Sequence, residues 1–326
     1  MKPLKCASFF AGVGGIDIGF EQNRLFNIVY ANEADPGPAA TYEANSPLKV
    51  DVRDIREVRP EEIPDFDVML AGFPCQPFSV AGTREGFDDG KGRGTLFFEL
   101  VRIMEAKRPQ IVFLENVKNL ASHNGGRTFS VIREALEGFG YHVIFKVLNA
   151  MTHGNIPQNR ERIYIVCFLD MEAWRRFCFP GPVKLETRLS DVIDFSTMVD
   201  EKYCYTAGKY KGDIYEKLAE AMDDDSAVYQ WRRKYVRKNK SGVIPTLTAN
   251  QGGGGHNVCL IKTKYGIRKM TPRECFNAQG FPKSFMLPAG ICDSKLYKQA
   301  GNSVCVPVIA RIADSIAEVM TNAVRA

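Results

Sequence analysis

No run of 18 apolar residues occurs anywhere in the 326-residue chain, so no segment is apolar for long enough to cross a bilayer as a helix, and no membrane partner is expected. No two cysteines are spaced C-x-x-C, and none of the four histidines (123, 142, 153, 256) has another four residues away, which argues against a metal site. The nine cysteines (6, 75, 167, 178, 204, 259, 275, 292, 305) are odd in number and mostly sit inside apolar runs. That usage fits reduced thiols in a cytoplasm better than a disulfide framework. Internal repeats and low-complexity linkers are also missing. Lys2 and Lys5 precede an apolar stretch, but it runs into Gly-Gly-Ile-Asp with no convincing cleavage site, and the start reads as a buried strand. The net charge of +5 is modest and, averaged over a surface, says little about partners.

What is present describes a folded protein with a substantial core. Hydrophobic residues make up 45% of the chain, and the length suits one large domain or two of ordinary size. Through residue 170, short apolar runs alternate with amphipathic stretches, the α/β pattern, with strands expected at 6–10, 28–31, 68–71, 111–114, 141–148 and 163–168. In TLFFELVRIMEAKRP (95–109), Leu96, Leu100 and Met104 recur every fourth residue beside Phe97 and Val101, a buried helical stripe that stops before Pro109. From about 170 to 267 periodicity weakens and aromatic and basic residues scatter, as in a smaller, irregular domain. There the run WRRKYVRKNK (231–240) holds six basic residues directly after Asp223-Asp224-Asp225; it reads as a solvated face or as a phosphate-contacting surface. A helix is expected at 271–278, followed by Gly301-Asn302-Ser303 and a last amphipathic helix, with Asn302 and Ser303 at its start, carrying Val308, Ile312, Ile316 and Val319.

Four places could carry chemistry. FFAGVGGIDIGF (9–20) follows the first strand, and its glycines at 12, 14 and 15 let backbone N–H groups approach a ligand at a helix N-terminus. Glu33 ends the second strand, where such folds hold ribose hydroxyls, so a nucleoside-containing cofactor follows. The spacing is G-x-G-G, not the dinucleotide G-x-G-x-x-G. Cys75 lies just beyond the third strand, in a loop, followed by a polar glycine-rich lid at 79–94, a position suited to a nucleophile. Glu115 and Asn116 end the strand 111–114 on the same sheet edge, and a carboxyl there can be tuned to donate a proton. Arg160 and Arg162, alternating before the 163–168 strand, are expected to project to one side toward an anionic or carbonyl-bearing substrate.

Taken together and in this order, these residues resemble the DNA (cytosine-5) methyltransferases, in particular the compact bacterial enzymes of restriction–modification systems. FAGVGG (10–15), GFPCQ (72–76), ENV (115–117), Q-x-R-x-R (158–162), RK-x-x-PREC (268–275) and Q-x-GNSV (299–304) match six of the family's motifs. The resemblance implies a Rossmann-like S-adenosylmethionine-dependent α/β domain with a mixed sheet, plus a smaller target-recognition domain. The expected boundaries are 1–174 for catalysis and cofactor, 175–282 for recognition, and 283–326 returning to the first domain. S-adenosyl-L-methionine is the implied cofactor, held by Phe10, Ala11, Gly12, Gly14, Gly15, Glu33, Asp54, Ile55, Pro74, Asn302, Ser303 and Val304; Asp51 competes with Asp54 for the adenine. Ala34 stands where many relatives carry an aromatic residue, and the lid is slightly longer than theirs.

By the same resemblance Cys75 adds to C6 of cytosine, Glu115 holds or protonates N3, Arg162 meets the ring carbonyl, and Arg160 steadies a phosphate or the Cys75 loop. Cytosine C5 is a poor nucleophile, so such an addition is needed before methylation. The target base must leave the stack to be reached. Contacts to substrate DNA are implied for Gly72, Phe73, Gln76, Ser79, Arg93, Asn116, Val117, Gln158, Arg232, Arg233, Lys234, Thr246, Leu247 and Arg273. A residue between 230 and 256 is expected to fill the gap left by the base. The partner is duplex DNA, with a companion restriction endonuclease acting on the same sequence. The enzyme is expected to be a cytoplasmic monomer, on the nucleoid when bound. Rival readings are a tRNA cytosine methyltransferase, an inactive DNA-binding regulator, and a nicotinamide oxidoreductase.

Overall fold

The computed structural model describes residues 2–74, 96–210, 212–239, 242–251 and 258–322, without the side chain of the last of these. Cys75, Gln76, Ser79, Arg93, the expected lid at 79–94 and the glycines at 252–255 lie outside the described residues. The chain forms two compact units: Met1–Leu148, Glu161–Pro180 and Ile309–Ala326 make the first, and Asn149–Arg160 with Gly181–Val308 the second. This division departs from the expected domains in giving 149–160 and 283–308 to the second unit. The reason is hydrogen bonding: residues 158–160 bond within that unit to 247, 278–279 and 301–303, partners distant in sequence.

Along the chain, strands β1 (Leu4–Phe9), β2 (Phe26–Asn32), β3 (Val68–Ala71), β4 (Ile111–Val117) and β5 (His142–Asn149) are followed by a two-residue strand β6 (Gln158–Asn159) and by β7 (Glu161–Phe168). In the first unit six of these form one sheet in the order β2-β1-β3-β4-β7-β5. β1 to β4 run parallel, while β7 pairs antiparallel with β4, so the sheet is mixed as expected. Val68 to Ala71 and Ile111 to Leu114 are all 0% exposed. Strands apolar at every position, not alternating, are what a sheet covered on both faces requires. Helix α1 (Gly15–Glu21) follows β1, α2 (Pro36–Glu43) follows β2, and α3 (Leu96–Lys107) precedes β4. Phe97, Leu100, Val101, Ile103 and Met104 on α3 are buried, while Leu96 is half-buried. At Gly19 of α1 an added Cβ would lie 2.5 Å from Ile309 Cγ2, so glycine lets the last helix, Val306–Asn322, approach closely. That helix starts at Val306; Asn302 instead ends the preceding helix Asp293–Asn302, and Ser303 is its C-cap, which corrects the expectation that both open the last helix.

The second unit is more regular than its sequence suggests. Strands β8 (Cys204–Tyr205), β9 (Val228–Trp231), β10 (Val236–Lys238), β12 (Cys259–Thr263) and β13 (Gly266–Lys269) form an antiparallel sheet ordered β10-β9-β12-β13-β8, and β11 (Ile244–Pro245) pairs with β6. Strands of two to five residues are too short for a period-2 pattern to show in sequence. Tyr205, Leu218, Met222, Tyr229, Val258, Leu260 and Ile267 make its core. Arg268 donates to both carboxylate oxygens of Glu274 at 2.8 and 2.7 Å, and Glu274 closes a capping box with Thr271. Much of the RK-x-x-PREC motif thereby holds the fold. Among the described residues, no group of three or more metal-ligating side chains occurs, and no helix is long and apolar enough to cross a membrane.

One buried acid stands out in the first unit. Asp17 on α1 is 2% exposed, accepts from Ser8 Oγ at 2.6 Å and Tyr42 Oη at 2.7 Å, and has its carboxyl pushed up to about 6 by burial. A folded-state pKa above the unfolded value means the native protein binds the extra proton between the two, so its stability falls as pH rises through that window. Asp17→Asn removes this slope. Between pH 5 and 7.5 the stability of the variant relative to the wild type should rise by on the order of 1 kcal/mol in urea unfolding; parallel pH profiles for the two proteins would refute the assignment.

Candidate active site

The turn between β1 and α1 needs left-handed backbone at three positions: Phe10, Gly12 and Gly14 have φ of 53°, 56° and 83°. Glycine adopts this without strain; Phe10 does not, and it is held by neighbouring bonds. Ala11 N–H donates to Asn32 O at 3.0 Å, Gly14 N–H to Ala11 O at 2.9 Å, and Gly12 N–H to Glu33 Oε2 at 2.9 Å. The predicted ribose acid is therefore brought to the glycine loop. A carboxylate can accept about four hydrogen bonds, so anchoring the loop is compatible with accepting ribose hydroxyls. Among the described residues, apart from the chain neighbours of Gly12, no heavy atom lies within 4 Å of where a Cβ on Gly12 would sit, which leaves room beside the loop for a nucleoside. On the other side, a Cβ on Gly14 would come within 2.9 Å of the Tyr42 ring. Tyr42 and Asp17 thus support the loop from below. Sequence reasoning missed both, though one signal was readable: Asp17 is a lone acid between Ile16 and Ile18 on an otherwise apolar turn.

The competition between Asp51 and Asp54 has a structural side. Asp51 accepts from Tyr30 Oη at 2.8 Å and from two nitrogens of Arg53, both at 2.7 Å, so its carboxylate is largely occupied. Asp54 caps the turn Ile55–Glu57 and pairs with Arg56, whose hydrogen bonds pull its carboxyl down to about 2. Ile55 is 2% exposed and packs in the core below that turn.

The second cluster gathers at the carboxyl ends of β3 and β4. In the antiparallel β4–β7 register Val117 faces Arg162 and Glu115 faces Tyr164. Residues 115, 117 and 162 therefore share one face, with Glu115 diagonal to Arg162. Arg162 Nε lies 3.1 Å from Glu115 Oε1, with the two side chains only 14% and 11% exposed. Glu115 Oε2 is 3.6 Å from the Cβ position of Gly72. Beside it, Asn116 Nδ2 donates to Phe73 O at 2.8 Å while its Oδ1 accepts from Val117 N–H at 2.8 Å. Gly72, Phe73, Glu115, Asn116 and Arg162 are thus brought together, and Asn116 pins the backbone two residues before Cys75. Pro74 is exposed. Chemically, the cluster offers a shielded carboxyl that can accept or deliver a proton and a fixed cation that can meet a carbonyl oxygen.

Arg160 does not join this cluster. β7 begins at Glu161, so no strand alternation links Arg160 to Arg162, and the expectation that both project to one side fails. The Arg160 guanidinium, 2% exposed, donates to Leu247 O at 2.9 Å, Gly301 O at 3.1 Å and Ser303 O, all within the second unit. Gln158, fully buried, is likewise turned inward to Ala278 O, Gln279 Oε1 and Leu247 N–H. The basic run forms the β9–β10 hairpin, whose tip carries Arg232, Arg233 and Lys234; Arg233 and Lys234 are exposed, and Tyr235 is 60% exposed. Lys238 is engaged by Asp223 and Asp224, both at 3.0 Å. Arg273 is half-buried, and its Nη1 is shielded from solvent with no hydrogen-bond partner among the described residues. The interior cysteines behave as small hydrophobes, and burial pushes the Cys259 thiol up to about 12.

The profile of the C-5 cytosine-specific DNA methylases matches residues 4–318. The chain is 58% identical to Type II methyltransferase M.Bsp6I of Bacillus sp. (strain RFL6) over 96% of this chain and 98% of that protein, and 40% identical to Type II methyltransferase M.SsoII of Shigella sonnei over 94% and 78% respectively. Its fold is shared with the Dnmt2 methyltransferase of S. pombe (TM-score 0.75, 18% identity, 97% of this chain and 99% of that one) and a DNMT2 mutant of Spodoptera frugiperda (TM-score 0.73, 21% identity, 96% and 99%). The nicotinamide oxidoreductase reading falls with these matches. The chain belongs to the C-5 cytosine-specific DNA methylases, enzymes whose methyl donor is S-adenosyl-L-methionine.

Proposed function

We propose that this enzyme methylates C5 of a cytosine rotated out of duplex DNA, through a transient bond between Cys75 Sγ and C6 of the base. The observation that carries the proposal is the cluster of Glu115, Arg162 and Gly72, with Asn116 holding the Phe73 carbonyl on the approach to Cys75. When bound, S-adenosyl-L-methionine supplies an electrophilic methyl group on a sulfonium. The residues fitted to hold it in the first unit are the 10–15 loop and Glu33, with Asp54, Ile55 and Pro74 as further candidates.

The chain's own residues perform the rest. The Cys75 thiolate adds its electron pair to C6, and density moves into the ring toward C5 and N3. Glu115 donates a proton or hydrogen bond at N3 and accepts from the exocyclic amine, limiting the charge that accumulates. Arg162, already paired with Glu115, orients that carboxyl and can meet the O2 carbonyl. Loss of the C5 proton to a base expels Cys75 as thiolate and restores the ring. A side chain cannot reach C6 of a stacked base, which is why rotation out of the duplex is part of the proposal.

The second unit is the proposed target-recognition body, with Thr246 at its reading edge, Arg233 and Lys234 at the hairpin tip on phosphates, and Arg273 as a further anion contact; Leu247, expected to contact DNA, is 1% exposed and belongs to the core instead. The Type II names of the relatives support a companion restriction endonuclease acting on the same sequence. The enzyme acts as a monomer on the nucleoid.

Three outcomes test this reading. Cys75→Ala should bind duplex DNA and S-adenosyl-L-methionine yet transfer no tritiated methyl; measurable transfer would rule out the covalent route. Glu115→Gln should slow single-turnover methylation by roughly 10²–10³-fold with DNA affinity nearly unchanged; equal single-turnover rates would remove Glu115 from the chemistry. Replacing Arg233 and Lys234 by alanine should reduce the slope of log K against log salt by about 2, and an unchanged slope would show that the hairpin tip does not touch phosphate.

A further inference from the structure

Residues 244–248 are strapped from several directions. β11 pairs in parallel with β6, Ile244 opposite Gln158 and Pro245 opposite Asn159, and Ile244 N–H donates to Pro157 O at 2.7 Å. Thr246 Oγ1 donates to Asn159 O at 2.6 Å. The Leu247 peptide is then gripped at both ends: its N–H donates to Gln158 Oε1 at 3.1 Å, and its carbonyl accepts from Arg160 Nη1 at 2.9 Å. Neither gripping side chain is free to follow the strap if it moves. Gln158 Nε2 is tied to Ala278 O at 2.6 Å and Gln279 Oε1 at 3.2 Å, and Arg160 Nη2 to Gly301 O and Ser303 O. Gly301 closes the other side: a Cβ there would lie 2.2 Å from the Thr248 carbonyl carbon and 2.4 Å from Ala249 N.

We infer that Gln158 and Arg160 are positioning residues for sequence discrimination, fixing the 244–248 strap through its backbone, with the Leu247 side chain buried as an anchor, so that Thr246 meets the DNA in one register. This rests on the reading of Thr246 as part of the recognition edge. A buried guanidinium spending its donors on main-chain carbonyls cannot at the same time hold a phosphate, because its forked N–H groups point in fixed directions. A base contact discriminates through hydrogen-bond geometry, so a shift of the segment that carries it relaxes the choice of base before it affects the reacting ring.

The test uses the full chain with S-adenosyl-L-methionine and plasmid DNA, reading every cytosine context by bisulfite sequencing, with thermal melts to certify folding. Gln158→Leu, which removes the acceptor for Leu247 N–H, and Arg160→Lys, which keeps the charge and loses the fork, should each raise methylation at sites one base away from the preferred sequence by about ten-fold relative to that sequence. Binding of S-adenosyl-L-methionine should not change in Gln158→Leu, whose lost bonds reach no residue expected to hold it. If Gln158→Leu does not fold, Arg160→Lys alone decides. A slower rate with the same ratio among contexts would overturn the inference and place these groups in the chemistry. Thr246→Ala, at the partly exposed residue of the pair, separates the two readings. If it shifts the context ratio while Gln158→Leu and Arg160→Lys do not, the positioning role is wrong and the recognition edge stands. If none of the three shifts it, the recognition edge itself is wrong.

Discussion

The carboxylate of Glu115 and the guanidinium of Arg162 lie 3.1 Å apart with little access to water, and the chemistry proposed for this enzyme depends on that pair staying fixed. Leaving either charge alone in so shielded a place would be costly, on the order of 3–5 kcal/mol for breaking a buried pair. The sheet supplies the fixation. β4 and β7 run antiparallel in unbroken register from Ile111 to Val117, and the four residues of β4 below Glu115 have no exposure at all. Rigid strands therefore deliver an acid, an amide and an arginine to one edge, where Gly72 places no side chain of its own beside the carboxylate. Flexible loops could not hold such groups to the same tolerance.

The two regions of the first unit proposed to face ligands are built on a related plan. A parallel strand ends, the chain turns (through left-handed backbone at Phe10, Gly12 and Gly14 in the first case), and polar groups from the neighbouring strand close over the turn. At β1 the turn is 10–15 and the closing groups are Asn32 and Glu33; at β3 it is 72–74 and the closing groups are Glu115 and Asn116. Beneath the first turn lies a layer of a different kind, Ser8, Asp17 and Tyr42, buried and mutually hydrogen-bonded. A network of this sort is stable only when complete, so the loop's shape is set by groups that need never touch a ligand.

Much of this was legible in the sequence because its signals are local. The strands of the first unit are apolar runs bounded by glycine, proline or acid, and all six expected strands are found within a few residues of their expected positions. Glu33 reaching the glycine loop and Glu115 standing at a strand end follow from where those runs stop. What was not legible depends on partners far away in the chain. Arg160 bonds to residues 87 to 143 positions distant, and nothing in Q-x-R-x-R tells that its two arginines serve different units. The same applies to β7, whose antiparallel sense no local pattern reveals, and to residues 149–160, which belong with a unit whose other residues come from 181 onward.

The central claim is that one sulfur atom bonds reversibly to a pyrimidine carbon beside Glu115. A duplex with 5-fluorocytosine at the target position tests it most directly, because the fluorine cannot leave as the C5 proton does and the release of sulfur is blocked. Incubation with S-adenosyl-L-methionine should give a complex that survives denaturation, with the DNA attached to the peptide containing Cys75. Active enzyme that forms no such complex, or one linked through a different residue, would contradict the account.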